Sequence, residues 1–375
     1  MRFTDCIDIT GESCRKFDGN KNYISTGAVD VNHIDQSQIE SVNYDSKPSR
    51  ANLMTDDRSI LFAKMQGTKK VLLINEDLKE NVYSTGFFSV APKNNNILNK
   101  ECLYHLLGSK TFLNQKDKYC SGATQKAITL DGLNKIEINI PKFEEQNQIA
   151  KRLDAIKRIL DSYDSILKKY DNLIKARFVE MFGNPVNNDK EWIRDSVERL
   201  CKEIYGGGTP SKSHPEYYED GEIPWITSKD MKTDILIDSQ IHINEDGVSN
   251  STARIVPKNS VIMVIRSGIL KHTLPVAINA VPITVNQDLK VFIPGNRIVT
   301  NFLAYQFKMM EKDILSGVRA VTADNIEFDA LKRRELIVPP IELQQQFSVF
   351  VQQVDKSKFL CFHQKIRKTF QVTRK

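Results

Sequence analysis

The chain has 375 residues, of which 40% are hydrophobic and 27% are charged, and its formal net charge is +6. This length and composition are ordinary for a globular protein with two or three domains. No apolar run approaches the roughly 18 residues of a membrane span, and the polar start MRFTDCIDITGES lacks the apolar centre of a signal peptide. We therefore expect a cytoplasmic protein with no membrane partner.

The first 140 residues alternate short apolar runs with turns, as strand-rich domains do. The predicted strands are Ser59–Met65, Val71–Asn75, Phe87–Ala91 and Ile136–Ile140. Residues Glu101–Gln115 are predicted to form one helix.

A long helix is predicted next, because apolar residues recur at alternating spacings of four and three residues. An average spacing of about 3.5 residues is typical of a coiled-coil seam. The seam residues are Ile149, Leu153, Ile156, Leu160, Tyr163, Leu167, Tyr170 and Ile174. The run Gly183-Asn184-Pro185 predicts the end of this helix.

After this helix the first pattern starts again. Val261–Ile265 and the turn that follows match Ile60–Lys64 and its turn, and Asp288–Pro294 matches Gly86–Pro92. The run GGGTPS, residues 206–211, is predicted to be a turn.

The clearest repeat lies where each module ends. Residues 130–153, LDGLNKIEINIPKFEEQNQIAKRL, align without a gap on residues 328–351, FDALKRRELIVPPIELQQQFSVFV, so that Gln146 falls on Gln344. Each copy combines a short apolar strand, a proline and a helix that opens in Glu and Gln. We infer a duplication: a first module at 1–140 followed by a helix at 141–185, and a second module at 186–338 followed by a helix at 339–375.

The seam of the second helix is less regular than that of the first. Phe347, Val351 and Val354 form one stripe, and Lys358 then interrupts it. A shifted apolar stripe is predicted beyond it, formed by Phe359, Phe362, Ile366 and Phe370. We expect an α+β protein in which two similar, mixed, strand-rich domains are separated by long helices that pair as an antiparallel coiled coil. Packing of each helix on its own module, or a homodimer through the seam, are the alternatives.

No catalytic or metal-binding pattern stands out. The run at 206–211 lacks the GK[ST] end of a phosphate loop. The six cysteines have no zinc-site spacing, and the six histidines suggest no catalytic triad. The sequence favours a binding protein over an enzyme, with no cofactor and no metal.

Several segments carry a family resemblance: INIPKFEEQNQIAKRLD and IVPPIELQQQF at the module ends, KKYDNLIKARFVEMFGNPVNN at the exit of the first helix, and GGTPS. With them, the whole chain resembles the specificity (S) subunit of type I restriction–modification systems. The resemblance implies two target-recognition domains that each read one half of a bipartite double-stranded DNA site. It implies helices that act as spacer and as docking surface for methyltransferase (M) subunits, which carry S-adenosylmethionine and the chemistry, beside restriction (R) subunits that carry the nuclease.

The length of the first helix agrees with a spacer. From Ile149 to Ile174 it rises roughly 39 Å, and half-sites one turn of B-DNA apart are separated by roughly 34–36 Å. We expect a split target with an unread gap of about half a turn to one turn.

Base edges are read by polar and basic side chains on loops, and phosphates by basic ones. In the first module the candidates are Lys64, Gln66, Thr68, Lys69, Lys70, Thr124, Gln125 and Lys126. In the second module they are Thr209, Ser211, Lys212, Arg266, Ser267, Lys271, His272 and Arg319. For each of them, a solvated surface position is the alternative.

Two other functions compete with DNA recognition by an S subunit. One is the specificity portion of a combined nuclease–methyltransferase enzyme. The other is a non-catalytic adaptor whose modules bind protein.

Overall fold

The computed structural model of the chain describes residues 1–317, 319–320 and 324–374, with side chains for 1–317 and 325–367. Two compact units are present: unit 1 comprises Met1–Asp161 and Arg367–Lys375, and unit 2 comprises Ser162–Ile366. None of the described helices is long and apolar enough to cross a lipid bilayer.

The first module is built mainly of short strands. These are β1 Ile7–Ile9, β2 Glu12–Ser13, β3 Asn20–Ile24, β4 Val29–Asp30, β5 His33–Ile34, β6 Glu40–Asn43, β7 Ala51–Met54, β8 Ile60–Ala63, β9 Val71–Leu73, β10 Val82–Ser84 and β11 Phe87–Pro92. Its helices are α1 Lys100–Leu107, α2 Lys110–Lys118 and α3 Leu130–Leu133, and the long helix α4, Phe143–Phe182, follows.

The second module repeats this composition. Its strands are β12 Arg194–Ser196, β13 Cys201–Gly206, β14 Ile223–Ile226, β15 Ile235–Leu236, β16 His242–Ile243, β17 Val261–Val264, β18 Val276–Asn279, β19 Thr284–Val285, β20 Leu289–Pro294, β21 Arg319–Ala320, β22 Asp324–Asn325 and β23 Glu335–Ile337. Its helices are α5 Val197–Leu200, α6 Glu245–Ser249, α7 Thr300–Met309, α8 Glu311–Ser316 and α9 Phe328–Arg333, and α10, Ile341–Arg374, follows.

The two modules share their central sheet topology. The order β1-β11-β8-β9 in the first corresponds to β13-β20-β17-β18 in the second, where β15 adds an edge strand. The central strands β8 and β17 are buried at every residue, which is why both appear in the sequence as unbroken apolar runs.

A second sheet is also repeated. The parallel pair β3–β10 corresponds to the parallel pair β14–β19, and each pair is flanked by one antiparallel strand, β6 or β16. The first module extends this sheet by β2 and β7. The strand matches expected from the sequence are therefore confirmed as equivalent places in one topology, and the predicted α+β fold class is confirmed with them.

Within unit 2, four phenylalanine rings join the end of α4 to the second module. Phe178 and Phe182 contact Phe302 of α7 and Phe347 of α10, with ring centroids 4.7–5.6 Å apart. All four side chains are fully buried. Such aromatic pairs add to the free energy of burial, so the end of α4 belongs to the core of unit 2.

The two long helices run antiparallel within unit 2. Asp164 of α4 forms an ion pair with Lys365 of α10, and seven residues further along α4, Asp171 pairs with Lys358, each at 2.5 Å. The partner of Asp171, Lys358, precedes the partner of Asp164, Lys365, by seven residues in α10. The two helices therefore run in opposite directions, as expected from the sequence.

The predicted shifted stripe on the second helix is wrong. Phe359, Phe362 and Ile366 are 63%, 50% and 39% exposed, and the side chain of Phe370 lies outside the described residues. The inward face instead continues at the original spacing through Phe347, Val351, Val354, Lys358, Cys361 and Lys365. Lys358 can stay on this face because its ammonium lies 2.5–3.7 Å from three carboxylates, those of Asp171, Asp234 and Asp355.

The predicted helix Glu101–Gln115 is divided into α1 and α2. Gly108 ends α1, and the hydroxyl oxygen of Ser109 accepts the backbone N–H of Phe112 at 3.2 Å, which caps the start of α2.

The predicted strand Ile136–Ile140 is only an isolated bridge, between Arg2 and Glu137. Its partner is the first few residues of the chain, since the N–H of Phe3 donates to Ile136 and the N–H of Ile138 donates to Met1. The equivalent β23 pairs with β12 over three residues, so each module is closed by its own beginning and end.

A buried glutamine attaches α4 to the first module. The side-chain oxygen of Gln146 accepts the N–H of Asn99 at 2.9 Å, and its amide nitrogen donates to the carbonyls of Ile97 at 2.6 Å and Pro141 at 3.0 Å. The side chain is fully buried, so its polar groups depend on these three bonds.

Gln344 repeats this arrangement in the second module. It accepts the N–H of Val299 at 2.9 Å and donates to the carbonyls of Arg297 at 3.2 Å and Pro339 at 2.8 Å. The two glutamines that align in the sequence repeat therefore bond to three equivalent backbone groups, one set in each half of the chain.

We predict that Gln344→Leu destabilises the protein by about 2–4 kcal/mol, because one N–H and two carbonyls lose their buried partner. The midpoint and slope of urea unfolding measure this. Gln345→Leu is the matched control, since Gln345 is exposed on the same turn and a change below about 0.5 kcal/mol is expected there. Equal effects of the two substitutions would contradict the assignment.

Candidate nucleic-acid interface

The structure brings the two predicted reading segments of the first module together. Met65 and Ala127 form an antiparallel bridge, and the N–H of Gln66 donates to the carbonyl of Lys126 at 2.9 Å. The turn after β8 thus lies against the loop at 121–126, whose residues are all exposed. We call these two segments the first reading edge.

A buried lysine supports this edge from below. The ammonium of Lys116 in α2 donates to the carbonyls of Met65 at 2.8 Å and Thr68 at 3.2 Å, and it lies 2.9 Å from the carboxylate of Asp117. Asp117 in turn accepts the N–H of Gly67 at 3.0 Å. The turn is therefore held by one ion pair on α2.

Sequence reasoning missed Lys116. A signal was present, because Lys116 follows Phe112 by four residues and so lies on the same, buried face of α2. A lysine on such a face needs acceptors, but the sequence does not show that they come from a turn some 50 residues earlier.

Two of the predicted lysines are bonded to the protein itself. Lys64 donates to the carbonyl of Thr85 at 2.9 Å and lies 4.4 Å from the centre of the Phe88 ring, and burial lowers the pKa of its ammonium. Lys70 donates to the carbonyl of Thr26 at 2.7 Å. Both bonds help to fix the turn that carries the other candidates of this segment.

Gln66 and Thr68 also make bonds within this region. The amide of Gln66 donates to the carbonyl of Asp117 at 3.1 Å, and the hydroxyl of Thr68 donates to the carbonyl of Met65 at 2.5 Å. Gln66 is nevertheless exposed, and the exposed candidates whose side chains make no such bond among the described residues are Lys69, Thr124, Gln125 and Lys126. These four are best placed to reach a ligand.

The second module has an equivalent edge. Arg266 follows β17 as Met65 follows β8, and it forms a bridge with Asn325 as Met65 does with Ala127. Its guanidinium lies 2.6 Å from the carboxylate of Asp288. The backbone of Arg319 pairs with Asn325, whereas the side chain of Arg319 lies outside the described residues. We call the turn at 266–272, together with β21 and β22, the second reading edge.

The predicted turn at 206–211 is wrong, because Gly206 is the last residue of β13 and residues 207–211 form no turn. The glycine run before Thr209 is instead a packing element. A Cβ on Gly207 would lie 1.9 Å from the carbonyl oxygen of Val285, so only glycine lets the chain pass β19. The hydroxyl of Thr209 then donates to the side chain of Gln287, beside Asp288. Thr209 is thereby placed next to the second reading edge.

The remaining candidates in the second module lie on turns. Ser267 caps the short helix Gly268–Lys271 by accepting the N–H of Ile269. Lys271 and His272 at its end are exposed, as are Ser211 and Lys212 on the loop after Pro210. Among the described residues, no group of three or more His, Cys, Asp or Glu side chains could hold a metal ion.

We predict that Lys116→Met loosens the first reading edge, because the carbonyls of Met65 and Thr68 lose their shared donor. Amide hydrogen exchange at residues 65–68 should accelerate by at least about tenfold, which corresponds to about 1.4 kcal/mol. The control is Lys118→Met, an exposed lysine on the same helix, which should leave exchange there unchanged. Unchanged exchange in Lys116→Met would remove the supporting role.

Comparisons with known proteins match this two-module arrangement. The family described as type I restriction modification DNA specificity domain matches the chain twice, at residues 7–174 and 196–368. The specificity subunit of the type I restriction enzyme EcoR124I/EcoR124II of Escherichia coli is 36% identical over 142 residues, or 38% of this chain and 35% of that protein. The MjaIX specificity subunit of Methanocaldococcus jannaschii is 23% identical over 285 residues, or 71% of this chain and 64% of that protein. The matches thus span less than two thirds of either relative.

One solved structure agrees in fold over the whole length. The S subunit of a type I restriction–modification system from M. genitalium superposes with a TM-score of 0.56, at 14% identity, over all of this chain and 92% of that one. At this identity the likeness concerns the fold alone.

Proposed function

Because the chain belongs to the type I restriction modification DNA specificity domain family, we propose that it is the sequence-specific DNA-binding subunit of a type I restriction–modification complex. In this proposal, residues 1–140 and 186–338 are target-recognition domains that each read one half of a bipartite site. Residues 141–185 and 339–375 set the gap and dock M subunits. Methylation and cleavage belong to the M and R subunits, so this chain needs no catalytic residue or cofactor.

One observation carries this proposal: the two family matches coincide with two modules of the same topology, each with a reading edge at the same place. Each edge follows a fully buried central strand, and such a rigid support holds side chains in fixed positions. The edges differ in their side chains, Lys69, Gln125 and Lys126 in one and Arg266 and His272 in the other. Different side chains on a common frame suit two different half-sites.

Exposed apolar side chains on α10 support docking of another subunit. Phe359, Leu360 and Phe362 are 63%, 62% and 50% exposed, and Ile235 of the second module lies beside the first two along an apolar groove. A contiguous apolar surface of this kind marks a protein interface. We assign it to an M subunit.

We predict that Arg266→Ala relaxes base preference in one half-site only. A guanidinium that reaches a base discriminates by about 1–3 kcal/mol, so the preferred base at one position should lose about tenfold or more of its enrichment. Selection from randomised duplexes by the chain together with its M subunit measures this.

Lys258→Ala serves as the control for this substitution, because Lys258 is exposed and precedes β17 at the strand's opposite end. A uniform loss of affinity for all sequences in Arg266→Ala would make Arg266 a phosphate contact instead.

We also predict that the length of α4 sets the gap. Residues 158–164 form one heptad between Lys157, which bonds Tyr104 in unit 1, and Asp171, which pairs with Lys358 in unit 2. Deleting this heptad shortens the helix by about 10.5 Å, so the preferred gap should shorten by about three base pairs. Duplicating it should lengthen the gap by as much. The same gap in both variants would exclude the spacer role.

A further inference from the structure

The aromatic ring of Phe328, near the second reading edge, is in contact with two lysines. The ammonium groups of Lys290 and Lys332 are each 4.5 Å from the centre of the Phe328 ring. Lys332 follows Phe328 by four residues, so both project from one face of α9. Lys290 is the second residue of β20. A cation over a ring face is stabilised by it, so the ring holds both ammonium groups in place.

Positive charge exceeds negative charge at this place. Arg266 is paired with Asp288 at 2.6 Å, and Lys332 with Asp329 at 3.1 Å. Among the side chains that the structure describes, no carboxylate lies within 4.0 Å of Lys290. Burial first, and then the charges of Lys332 and Arg266, lower the pKa of the Lys290 ammonium. The unbound protein therefore keeps three cations together at some expense of stability.

The backbone leaves room for this ammonium. Lys290 lies opposite Gly206 of β13 in the sheet, and a Cβ on Gly206 would come within 2.4 Å of its Nζ. A larger residue at 206 would displace the ammonium from the ring. On its other side Lys290 pairs with Met263 of β17, the strand that leads into Arg266. The cluster and the second reading edge thus share one supporting strand.

The first module has a lysine over a ring at the same place. Phe88 is the second residue of β11, as Lys290 is of β20, and the ammonium of Lys64 lies 4.4 Å from the Phe88 ring. The partner differs between the modules, because the lysine of the first module lies just after β8 whereas the ring of the second module lies on α9. What the modules share is a lysine–ring contact at the second residue of β11 or β20.

We propose that Lys290, Phe328 and Lys332 form a binding site for a phosphate group of the DNA backbone, next to the second reading edge. The site rests on the proposed function and adds to it a contact that holds the duplex in register. Two ammonium groups donate to phosphate oxygens, and the anion neutralises the excess positive charge. Such a contact carries no sequence information, but it positions the strand so that Arg266 faces the base edges.

The test is the salt dependence of DNA binding by Lys290→Gln/Lys332→Gln, in the full chain with its M subunit. Each phosphate contact contributes about 0.9 to the slope of log K against log salt concentration. The slope should become less steep by about 1, and the affinity should fall equally for target and non-target duplexes. The matched control is Lys202→Gln/Lys258→Gln, which removes the same charge from exposed lysines at the opposite end of the sheet and should leave the slope unchanged.

Thermal unfolding separates binding from a structural role. Because the relief of burial and repulsion at Lys290 offsets the lost contacts of Lys332 with Phe328 and Asp329, the unfolding midpoint should stay nearly the same while binding weakens. An unchanged slope, or a lower midpoint with a proportional loss of bound protein, would overturn the phosphate site alone. Failure of the unsubstituted chain and its M subunit to bind any DNA would overturn the proposed function as well.

Discussion

A buried glutamine amide at the start of each long helix is the contact on which the arrangement of this protein depends. Gln146 and Gln344 each join two backbone groups of the preceding module, and the carbonyl of a proline just before the helix, to the first turn of that helix. Because a buried amide that loses its partners is costly, the direction in which each helix leaves its module has little freedom. A reading edge and the helix that follows it then form one rigid body. Such rigidity is required of a spacer, because a helix can set the gap between half-sites only if its attachment to each module is rigid.

Ion pairs within unit 2 add a second constraint, on the register of the helices. Burial by itself would raise the pKa of Asp234, but Lys308 and Lys358 hold it below its usual value, so the carboxylate stays charged. The same Lys358 lies 2.5 Å from Asp171 on α4. A charged residue on a helical seam stabilises little by itself, but it penalises every register that leaves it unpaired. The length of helix that separates two contacts is thereby kept constant.

The internal sequence repeat made the strands and helices of both modules predictable. The bonds of individual side chains were not predictable, because many of their partners are distant along the chain. The runs at 60–64 and 261–265 match because both are central strands buried on two faces, and Gly183 ends α4 as its positive φ of 75° requires. Lys358 looks like an interruption in the sequence because two of its three carboxylates are distant along the chain: Asp171 lies on α4 and Asp234 lies just before β15. The candidate interface was predicted from polar and basic residues on turns and loops. This composition locates a loop, but it does not show which bonds the side chains make. Lys64 and Lys70 are bonded to carbonyls of distant segments for this reason, and Lys116, Lys290 and Lys332 escaped notice.

The central claim is that each module recognises its own half-site independently of the other. A chain in which residues 196–368 are replaced by a second copy of residues 7–174 tests it most directly. With the M subunit present, DNA selected from a randomised pool should carry two copies of the half-site that the first module recognises in the natural chain. Selection of the original, unequal pair of half-sites by this folded chimera, or of one continuous sequence without a gap, would contradict the account.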